Sequence, residues 1–527
     1  MRRAFPTLLV LVALAVFTSA CSDDGLTAEV SEPRDSSTPT TTANPTDADS
    51  DDGDTGRETG GGDTNLSDLG WSDCGGFECV KVSVPVAYEN GPDEAGNDFL
   101  SIAVARQLAT GDESDYLGVL MVNPGGPGVS AIEFLRLAAD GYLPEQLSQF
   151  FDLVAFDPRG VGDSEPDFAC GLAGDHIVIA NAIGDEVDTP EDEALAELAV
   201  ERCTESMGAA AGLLHTEYVA RDMDRVREAL GVEQITYLGF SYGSAIGTWY
   251  ATLFPERVRA MVLDGADNPV DPSQTRAQRV DNAMEETAPL EDKLRSALEA
   301  CDDRSCPIYN GGDPVAYYYE AATKLHLVDE ELQDAPFAGA LGVITTLYSE
   351  ETWPLLWDGL SDLNEFDDPT LFSDLALFQL DDPSQPSFTA HVNCLDSWVI
   401  DSHVDRYDRV EDLNVMTDRV AAELPLLSAL DLTGFDVCPY FDTIAPAALD
   451  RPLDGSDVPI IVIGNHGDPV TPFAESEQLA TETLSNGLLV EVDHPEHTVY
   501  PNNECVNDIV DRVLIDGVTP TSDRVGC

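Results

Sequence analysis

The sequence predicts an α/β fold, in which a mostly parallel β-sheet is covered by helices and a large helical cap is inserted before the last two core strands. Three observations lead to this prediction. From Cys79 to about residue 272, short apolar runs alternate with helical patterns, as expected for a parallel sheet. The alternation stops over residues 273–450, where helical stretches and acidic loops follow one another. Strand-like runs then return at Pro459–Gly464 and Gly487–Val492.

The strand-like runs of the first part are rich in Val, Ile and Leu, which suit strands buried in a sheet. The runs Val80–Val86 and Phe99–Ala105 predict an early hairpin. Gly231 follows a helical pattern and is a good C-cap for it. In chain order, the predicted elements are strands at Val80–Val86, Phe99–Ala105 and Leu117–Asn123, a helix from Ser130 to about Ala139, a strand at Phe151–Phe156, a helix at Tyr218–Leu230, and strands at Gln234–Phe240 and Val258–Asp264.

Helical periodicity dominates the insertion and the end of the chain. The clearest stretches in the insertion are Arg276–Glu299 and Pro314–Lys324, and a last helix is predicted from about Asn503 to Ile515. We therefore predict a first part of the core at 71–272, a helical cap at 273–455 and a C-terminal part of the core at 456–527.

The N-terminus has the pattern of an export signal. Met1-Arg-Arg is followed by the apolar run Leu8–Phe17 and then by Thr18-Ser-Ala-Cys21. Residues 1–20 are predicted to be a signal peptide, and Cys21 is predicted to be lipidated and to anchor the protein to the outer face of the membrane. Thr18 stands where that pattern prefers Leu, so secretion without an anchor is the alternative.

Residues 21–70 are rich in Ser, Thr, Asp, Gly and Pro and are predicted to form a disordered acidic tether. The whole chain has a formal net charge of −73. That charge argues against nucleic acid as a partner, because phosphates require cations. The acidic residues are spread along the chain, as on a solvated surface, and nothing in the sequence suggests a cofactor.

The cysteine count favours structural disulfides. The chain has 11 cysteines, and setting Cys21 aside leaves an even number, as expected in an exported protein. A metal site is the competing interpretation, but these cysteines have no nearby histidines at zinc spacing, so no metal is predicted. The spacing suggests sequential pairing, which the sequence alone does not establish: Cys74–Cys79, Cys170–Cys203, Cys301–Cys306, Cys394–Cys438 and Cys505–Cys527.

One motif carries the chemistry. Gly239-Phe-Ser241-Tyr-Gly243 lies between a strand-like run and a helical segment. The glycines let strand and helix approach closely around a sharp turn, and the turn holds the serine hydroxyl out of the fold. Five-residue matches also occur by chance, but the strand before this one and the helix after it argue against chance. We therefore predict that Ser241 is a nucleophile.

A serine nucleophile needs a base to take its proton and an acid to orient that base. Asp468 follows one late strand-like run and His497 follows the next. After a Gly-x-Ser-x-Gly turn, the order Ser, Asp, His is the expected one. We predict Asp468 as the acid and His497 as the base.

Two other histidines lie close by in sequence. Pro495 and Glu496 give the loop the length to bring His497 back over the sheet, whereas His494 is nearer the strand end. His494 is the alternative base, and would otherwise be a structural hydrogen-bonding residue. His466 precedes the acid and is predicted to lie behind it or on the surface.

The developing oxyanion needs backbone amides as donors. The Tyr242 amide is available at the start of the helix that follows the nucleophile. The loop Pro124-Gly-Gly-Pro-Gly128 follows a core strand, and its missing side chains would let a backbone amide face the substrate. A Gly/Pro cluster is often only a turn, but in this context we predict Gly126 as the second donor.

Four motifs of the chain occur together in one known family: Gly239-Phe-Ser-Tyr-Gly-Ser244, Asn123-Pro-Gly-Gly-Pro-Gly128, Asp157-Pro-Arg-Gly-Val-Gly-Asp-Ser164 and Gly467-Asp-Pro-Val-Thr-Pro472. Jointly they resemble the secreted actinobacterial tripeptidyl aminopeptidases, which belong with the proline iminopeptidase-like serine peptidases of the α/β-hydrolase fold. The resemblance extends from about residue 75 to Cys527.

At one position the chain agrees with the tripeptidyl branch of the family, and at another it departs from the common pattern. The iminopeptidases proper have His-Gly-Gly-Pro-Gly, whereas this chain has Pro124 in the His position, as its tripeptidyl relatives do. Relatives often have Gly-His-Thr where this chain has Glu496-His497-Thr498. The His-Thr pair that the chain shares with these relatives supports His497, rather than His494, as the base.

The resemblance implies removal of short peptides, tripeptides in particular, from free N-termini. Such an enzyme needs a carboxylate for the substrate's α-ammonium group, and the acidic cap can supply one. Asp396, Glu285 and Glu286 are candidates, although each could be one more solvated acid. The alternatives are an esterase or lipase on the same fold and a non-catalytic tethered binding lipoprotein.

Overall fold

The computed structural model describes residues 69–88, 99–168, 205, 207–269, 276–329, 338–379, 388–389, 391–393, 395–396, 415, 418–430, 453–455 and 457–527. The predicted signal peptide, Cys21 and most of the tether lie outside these residues. Among the described residues, no helix combines the length and the apolar character needed to cross a membrane.

The described residues form a ten-stranded sheet. Its strands are β1 (Ser72–Asp73), β2 (Glu78–Pro85), β3 (Phe99–Gln107), β4 (Gly118–Asn123), β5 (Phe151–Phe156), β6 (Ile235–Phe240), β7 (Val258–Asp264), β8 (Ile460–Asn465), β9 (Gly487–Val492) and β10 (Arg524–Gly526). The spatial order is β1-β2-β3-β5-β4-β6-β7-β8-β9-β10. The pairs β1–β2, β2–β3 and β3–β5 are antiparallel, and every later pair is parallel. The predicted mostly parallel sheet is confirmed.

Helices cover the sheet and build the insertion. In chain order they are α1 (Ala131–Leu137), α2 (Glu145–Phe150), α3 (Thr216–Ala229), α4 (Tyr242–Leu253), α5 (Arg276–Glu299), α6 (Pro314–Asp329), α7 (Ala338–Thr345), α8 (Trp353–Phe366), α9 (Thr370–Gln379), α10 (Pro425–Ser428), α11 (Phe473–Gln478) and α12 (Glu504–Asp511). The predicted helices end within a few residues of these bounds, except that α6 runs five residues further and α12 is followed by a π-turn.

Alternate side chains of each central strand point to opposite faces of the sheet, and both faces are buried. In β6, Ile235 and Tyr237 belong to a core shared with α3 and α4, whereas Leu238 and Phe240 belong to a core shared with α1 and α12. Burial on both faces explains why the strand reads as a continuous apolar run. Because β4 and β6 to β9 run in the same direction, their carboxyl ends meet at one edge of the sheet. Ligands bind at this edge in such sheets.

The cap has a hydrophobic core of its own. Residues from α5 to α10 form it, among them Leu294, Tyr318, Leu360, Phe372 and Leu426, each at most 1% exposed. The described part of the insertion is helical, as predicted; the exact domain bounds stay predictions.

Disulfides close three short loops. Cys74–Cys79, Cys301–Cys306 and Cys505–Cys527 are bonded, as predicted. The pairs Cys170–Cys203 and Cys394–Cys438 lie outside the described residues. Cys505–Cys527 ties the end of the chain to α12, next to β10, a short strand that the sequence did not predict because it has no apolar pattern.

Candidate active site

Ser241 lies at the turn between β6 and α4, as predicted. Its φ of +52° and ψ of −130° form a conformation that residues with a Cβ rarely adopt. A Cβ at Gly239 would come within 2.5 Å of the Gly243 carbonyl oxygen, and one at Gly243 within 2.7 Å of the Asn123 carbonyl oxygen. Glycine is therefore required on both sides of the serine, and the predicted strand–turn–helix geometry is confirmed.

The glycine-rich loop after β4 packs against this turn. A Cβ at Gly125 would lie 2.9 Å from the Tyr242 amide nitrogen, so the loop backbone is in close contact with the start of α4. The Gly125 amide donates to Asn123 Oδ1 at 2.9 Å and is therefore already used. The Gly126 amide, one residue further, and the Tyr242 amide stay the predicted oxyanion donors.

Asp468 is held in a loop directly after β8. Its Oδ1 accepts the Val470 amide at 2.8 Å and the Thr471 amide at 3.0 Å. Its Oδ2 accepts the Thr471 hydroxyl at 2.8 Å. His497 Nδ1 lies 2.9 Å from both carboxylate oxygens. The structure thus brings the predicted acid and base together and fixes the orientation of the acid, which is 2% exposed.

The ring of His497 lies close to the nucleophile turn. A Cβ at Gly265 would be 3.3 Å from His497 Cε1, and the preceding residue, Asp264, accepts the Ser241 amide through its carbonyl oxygen at 2.9 Å. His497 Nε2 is buried without a hydrogen-bond partner among the residues that the structure describes. Hydrogen bonds between a catalytic base and its nucleophile are often long before substrate binds, and they shorten in the complex. The acid–base pair is formed, and the bond from base to serine is not.

The other two histidines hold different positions. His494 Nδ1 is 3.4 Å from the Glu496 amide that donates to it. His466 is exposed, with Nε2 2.8 Å from Glu491 and its ring stacked on Phe473. Neither is bonded to Asp468, so the geometry favours His497 as the base.

Asp264 links the nucleophile to the base. Besides its carbonyl bond to Ser241, its carboxylate accepts the Val499 amide at 3.0 Å and the Tyr500 amide at 2.7 Å. These amides belong to the loop that carries His497. Sequence reasoning missed this role, although an acidic residue that ends an apolar strand is a signal of it.

Asn465 links the acid loop to the base loop. Its Oδ1 accepts the Gly467 amide at 3.1 Å and the His494 amide at 2.9 Å, and its Nδ2 donates to the Glu496 carbonyl oxygen. The side chain is buried and offers both acceptor and donor, which is what two adjacent loops need. This residue was also missed.

The cap contacts the base loop directly. The His497 amide donates to the Tyr348 carbonyl oxygen at 3.3 Å, and the two rings meet edge to face with centroids 5.6 Å apart. Lys293 on α5 donates to the Pro495 carbonyl oxygen at 2.7 Å. The cap therefore covers the catalytic edge of the sheet on the side of the base.

The predicted substrate carboxylates are placed differently from one another. The Asp396 carboxylate accepts the Thr216 amide at 2.7 Å and the Thr216 hydroxyl at 2.6 Å. Glu285 is exposed on α5. Glu286 belongs to the same helix, but its side chain lies outside what the structure describes. Their roles toward substrate stay predictions.

From the pKa values of three carboxyl groups, two buried and one half-buried, we expect stability to fall with rising pH. Burial raises the pKa of Asp157 to about 6, and those of Asp264 and Asp396 to about 7, from an ordinary 3.8. Between about pH 4 and 7 the folded protein therefore keeps protons that the unfolded chain has lost. The free energy of unfolding is expected to fall through that window, by up to about 1.4 kcal/mol per pH unit for each carboxyl.

Urea unfolding at pH 5 and pH 8 checks this expectation. Work in about 1 M NaCl screens the repulsion among surface acids, which would act in the same direction. Asp264→Asn should flatten the dependence. A stability that rises steadily from pH 5 to pH 8 in wild type would contradict the prediction.

The chain is similar to known serine hydrolases over most of its length. Residues 118–291 match a family model described as the alpha/beta hydrolase fold, and residues 425–526 match one described as TAP-like protein. The serine protease Hip1 of Mycobacterium tuberculosis is 34% identical over 482 residues, which cover 85% of this chain and 86% of that protein.

Two further relatives carry different names. Carboxylesterase B of M. tuberculosis is 29% identical, over 84% of this chain and 85% of its own length. The tripeptidyl aminopeptidase of Streptomyces coelicolor is 26% identical, over 85% of this chain and 82% of its own length. The chain thus spans most of each relative, and the two family models cover the segments that carry Ser241, Asp468 and His497.

Proposed function

Because the chain belongs to the actinobacterial tripeptidyl aminopeptidase-like serine hydrolases of the α/β-hydrolase fold, we propose that it is an exported exopeptidase. It releases short peptides, tripeptides in particular, from free N-termini. The observation that carries the chemistry is the buried hydrogen-bonded pair Asp468–His497 next to the strained Ser241 turn.

The reaction follows from the positions of these groups. His497 takes the proton of the Ser241 hydroxyl, and the serine oxygen attacks the scissile carbonyl carbon. The Tyr242 and Gly126 amides stabilise the oxyanion. His497 then gives the proton to the leaving amine, and a water molecule, activated by the same base, releases the acyl group as a free carboxylate. Asp468 stabilises the imidazolium that forms twice in this cycle.

Export and anchoring are part of the proposal. The basic and apolar N-terminal pattern before Cys21 supports a signal peptide with lipidation, and the three disulfides support an oxidising compartment. We propose a lipoprotein at the outer face of the membrane. Release of the protein into the medium, with no acyl chain detected on Cys21 by mass spectrometry, would favour secretion instead.

Specificity for a free N-terminus predicts a large effect of N-acetylation. An α-ammonium group paired with a buried carboxylate contributes about 1.5–3 kcal/mol. Ala-Ala-Phe-p-nitroanilide with a free amine is therefore expected to be hydrolysed with a kcat/KM about 10- to 100-fold above that of its N-acetyl form. Ser241→Ala provides the background rate for both substrates.

The rival is an esterase, because one relative is named as a carboxylesterase and the triad serves both ester and amide bonds. Equal turnover of the free and the acetylated anilide would reject the exopeptidase. Little hydrolysis of either anilide, together with rapid hydrolysis of p-nitrophenyl esters, would favour the esterase.

A further inference from the structure

One part of the cap contacts the core on the side of the oxyanion hole. We name it the docking segment; its described residues are Phe388, Thr389, His391, Val392, Asn393, Leu395 and Asp396. Its apolar residues are buried in the core shared with α3 and α4. A Cβ at Gly160 would lie 2.7 Å from the Phe388 ring, so this glycine makes room for the segment.

Asp396, at the end of the docking segment, connects to the residue after the nucleophile. Its carboxylate holds both the amide and the hydroxyl of Thr216, at the start of α3. The Thr216 hydroxyl lies 2.6 Å from the Tyr242 hydroxyl. Tyr242 is 7% exposed, and its amide is one predicted oxyanion donor. A chain of short hydrogen bonds thus runs from the cap to this donor residue.

Thr389, at the start of the docking segment, contacts the other donor loop. Its hydroxyl donates to the Pro127 carbonyl oxygen at 2.7 Å. Pro127 directly follows Gly126, the second predicted donor. The docking segment therefore connects to both predicted halves of the oxyanion hole, directly at the Pro127 carbonyl group and through Thr216 at Tyr242.

We propose that Asp396 and Thr389 are positioning residues of the oxyanion hole. Asp396, through Thr216, holds the Tyr242 amide, and Thr389 holds the Gly126 amide, so that the two donors keep the separation that the tetrahedral intermediate requires. Catalysis is then coupled to the seating of the cap. This role rests on the serine-hydrolase reaction alone and not on exopeptidase specificity, and it requires no contact between Asp396 and substrate.

The physical reason is the steep dependence of oxyanion stabilisation on geometry. Donors act fully only when they lie about 3 Å from the oxyanion, and loss of one donor lowers kcat by about 10²–10³-fold. Displacement of a donor is a milder change than its loss. We expect about a tenfold fall in kcat when either contact is removed.

The test uses p-nitrophenyl acetate, a substrate without an amine. Asp396→Asn, Thr216→Val and Thr389→Val are each expected to lower kcat about tenfold with little change in KM. Phenylboronic acid forms a tetrahedral adduct on the serine, so its inhibition constant should rise by a factor similar to the fall in kcat/KM. Tyr242→Phe should remove most of the effect of Asp396→Asn when the two are combined, because both act through Thr216.

A matched control is present in the same cap. Asp368 accepts the Thr370 amide at 3.0 Å and the Thr370 hydroxyl at 2.6 Å, as Asp396 does with Thr216, but it lies on the surface. Asp368→Asn should leave kcat unchanged. Equal losses in Asp368→Asn and Asp396→Asn would overturn the proposal.

A second outcome would also overturn it. Asp396→Asn could leave ester hydrolysis unchanged while raising KM only for the free-amine anilide, in which case Asp396 binds the substrate ammonium group. Where Asp396→Asn does not fold, Thr216→Val and Thr389→Val decide the question. Failure of the exopeptidase proposal would show in the anilides and would leave the ester results intact.

Discussion

Replacing Ser241 by alanine is expected to lower kcat/KM for p-nitrophenyl acetate by about 10⁴-fold or more and to abolish labelling by a fluorophosphonate probe. We predict that this serine forms the acyl-enzyme, and its backbone conformation is held by close contacts on both sides. Retained labelling in the Ser241→Ala variant would disprove the assignment, and absence of labelling in wild type would favour a non-catalytic binding protein.

The base is tested in the same assay. His497→Ala should lose about as much activity as Ser241→Ala, and the double variant little more, because the two residues act as a unit. His494→Ala should stay within a few-fold of wild type, since His494 does not bond Asp468. Ser296→Ala is the matched control for Ser241→Ala, because the Ser296 hydroxyl donates to a carbonyl oxygen of its own helix, α5.

The second large effect is on folding. Arg159→Met is expected to destabilise the protein by about 3–5 kcal/mol. Arg159 and Asp222 both have fully buried side chains and form two hydrogen bonds of 2.7 Å. The guanidinium also donates to the carbonyl oxygens of Pro85, Val86 and Leu213. Methionine would leave three carbonyl groups without this donor, and it would leave the buried Asp222 carboxylate with the Tyr88 hydroxyl but without its paired cation.

Urea unfolding monitored by circular dichroism measures this change. Arg225→Met is the control, since its pair with Glu228 is partly exposed and contributes less than about 1 kcal/mol. The double variant of Arg159→Met with Asp222→Leu should regain part of the lost stability, because it removes the uncompensated charge. A destabilisation of Arg159→Met no larger than that of Arg225→Met would contradict the prediction.

Local sequence patterns were sufficient to predict the sheet and the turn that carries Ser241. Burial on both faces favours apolar residues at most positions of β6, so the strand is visible in the sequence. The turn around Ser241 requires glycine at two fixed positions, and this requirement is visible as a short sequence motif. Asp468 and His497 could be predicted because each follows a strand whose end must lie at the same edge of the sheet.

Other features depend on contacts between distant parts of the chain. Asp264 and Asn465 join segments that are separated by up to 236 residues, and nothing near them in sequence marks their partners. Thr216 and Asp396 are 180 residues apart, so the sequence predicted Asp396 as a candidate substrate carboxylate, next to a cysteine that would fix its loop, and not as the partner of Thr216. Its hydrogen bonds to Thr216 support the positioning role that we propose for it.

The chain alone therefore predicted the fold class and the candidate nucleophile, acid and base, because these predictions follow from periodicity and from steric requirements within a few residues. Only the folded molecule decided how the loops are tied together and how the cap is seated. Those features arise from buried polar groups that must find partners wherever the fold places them, and that matching has no local pattern.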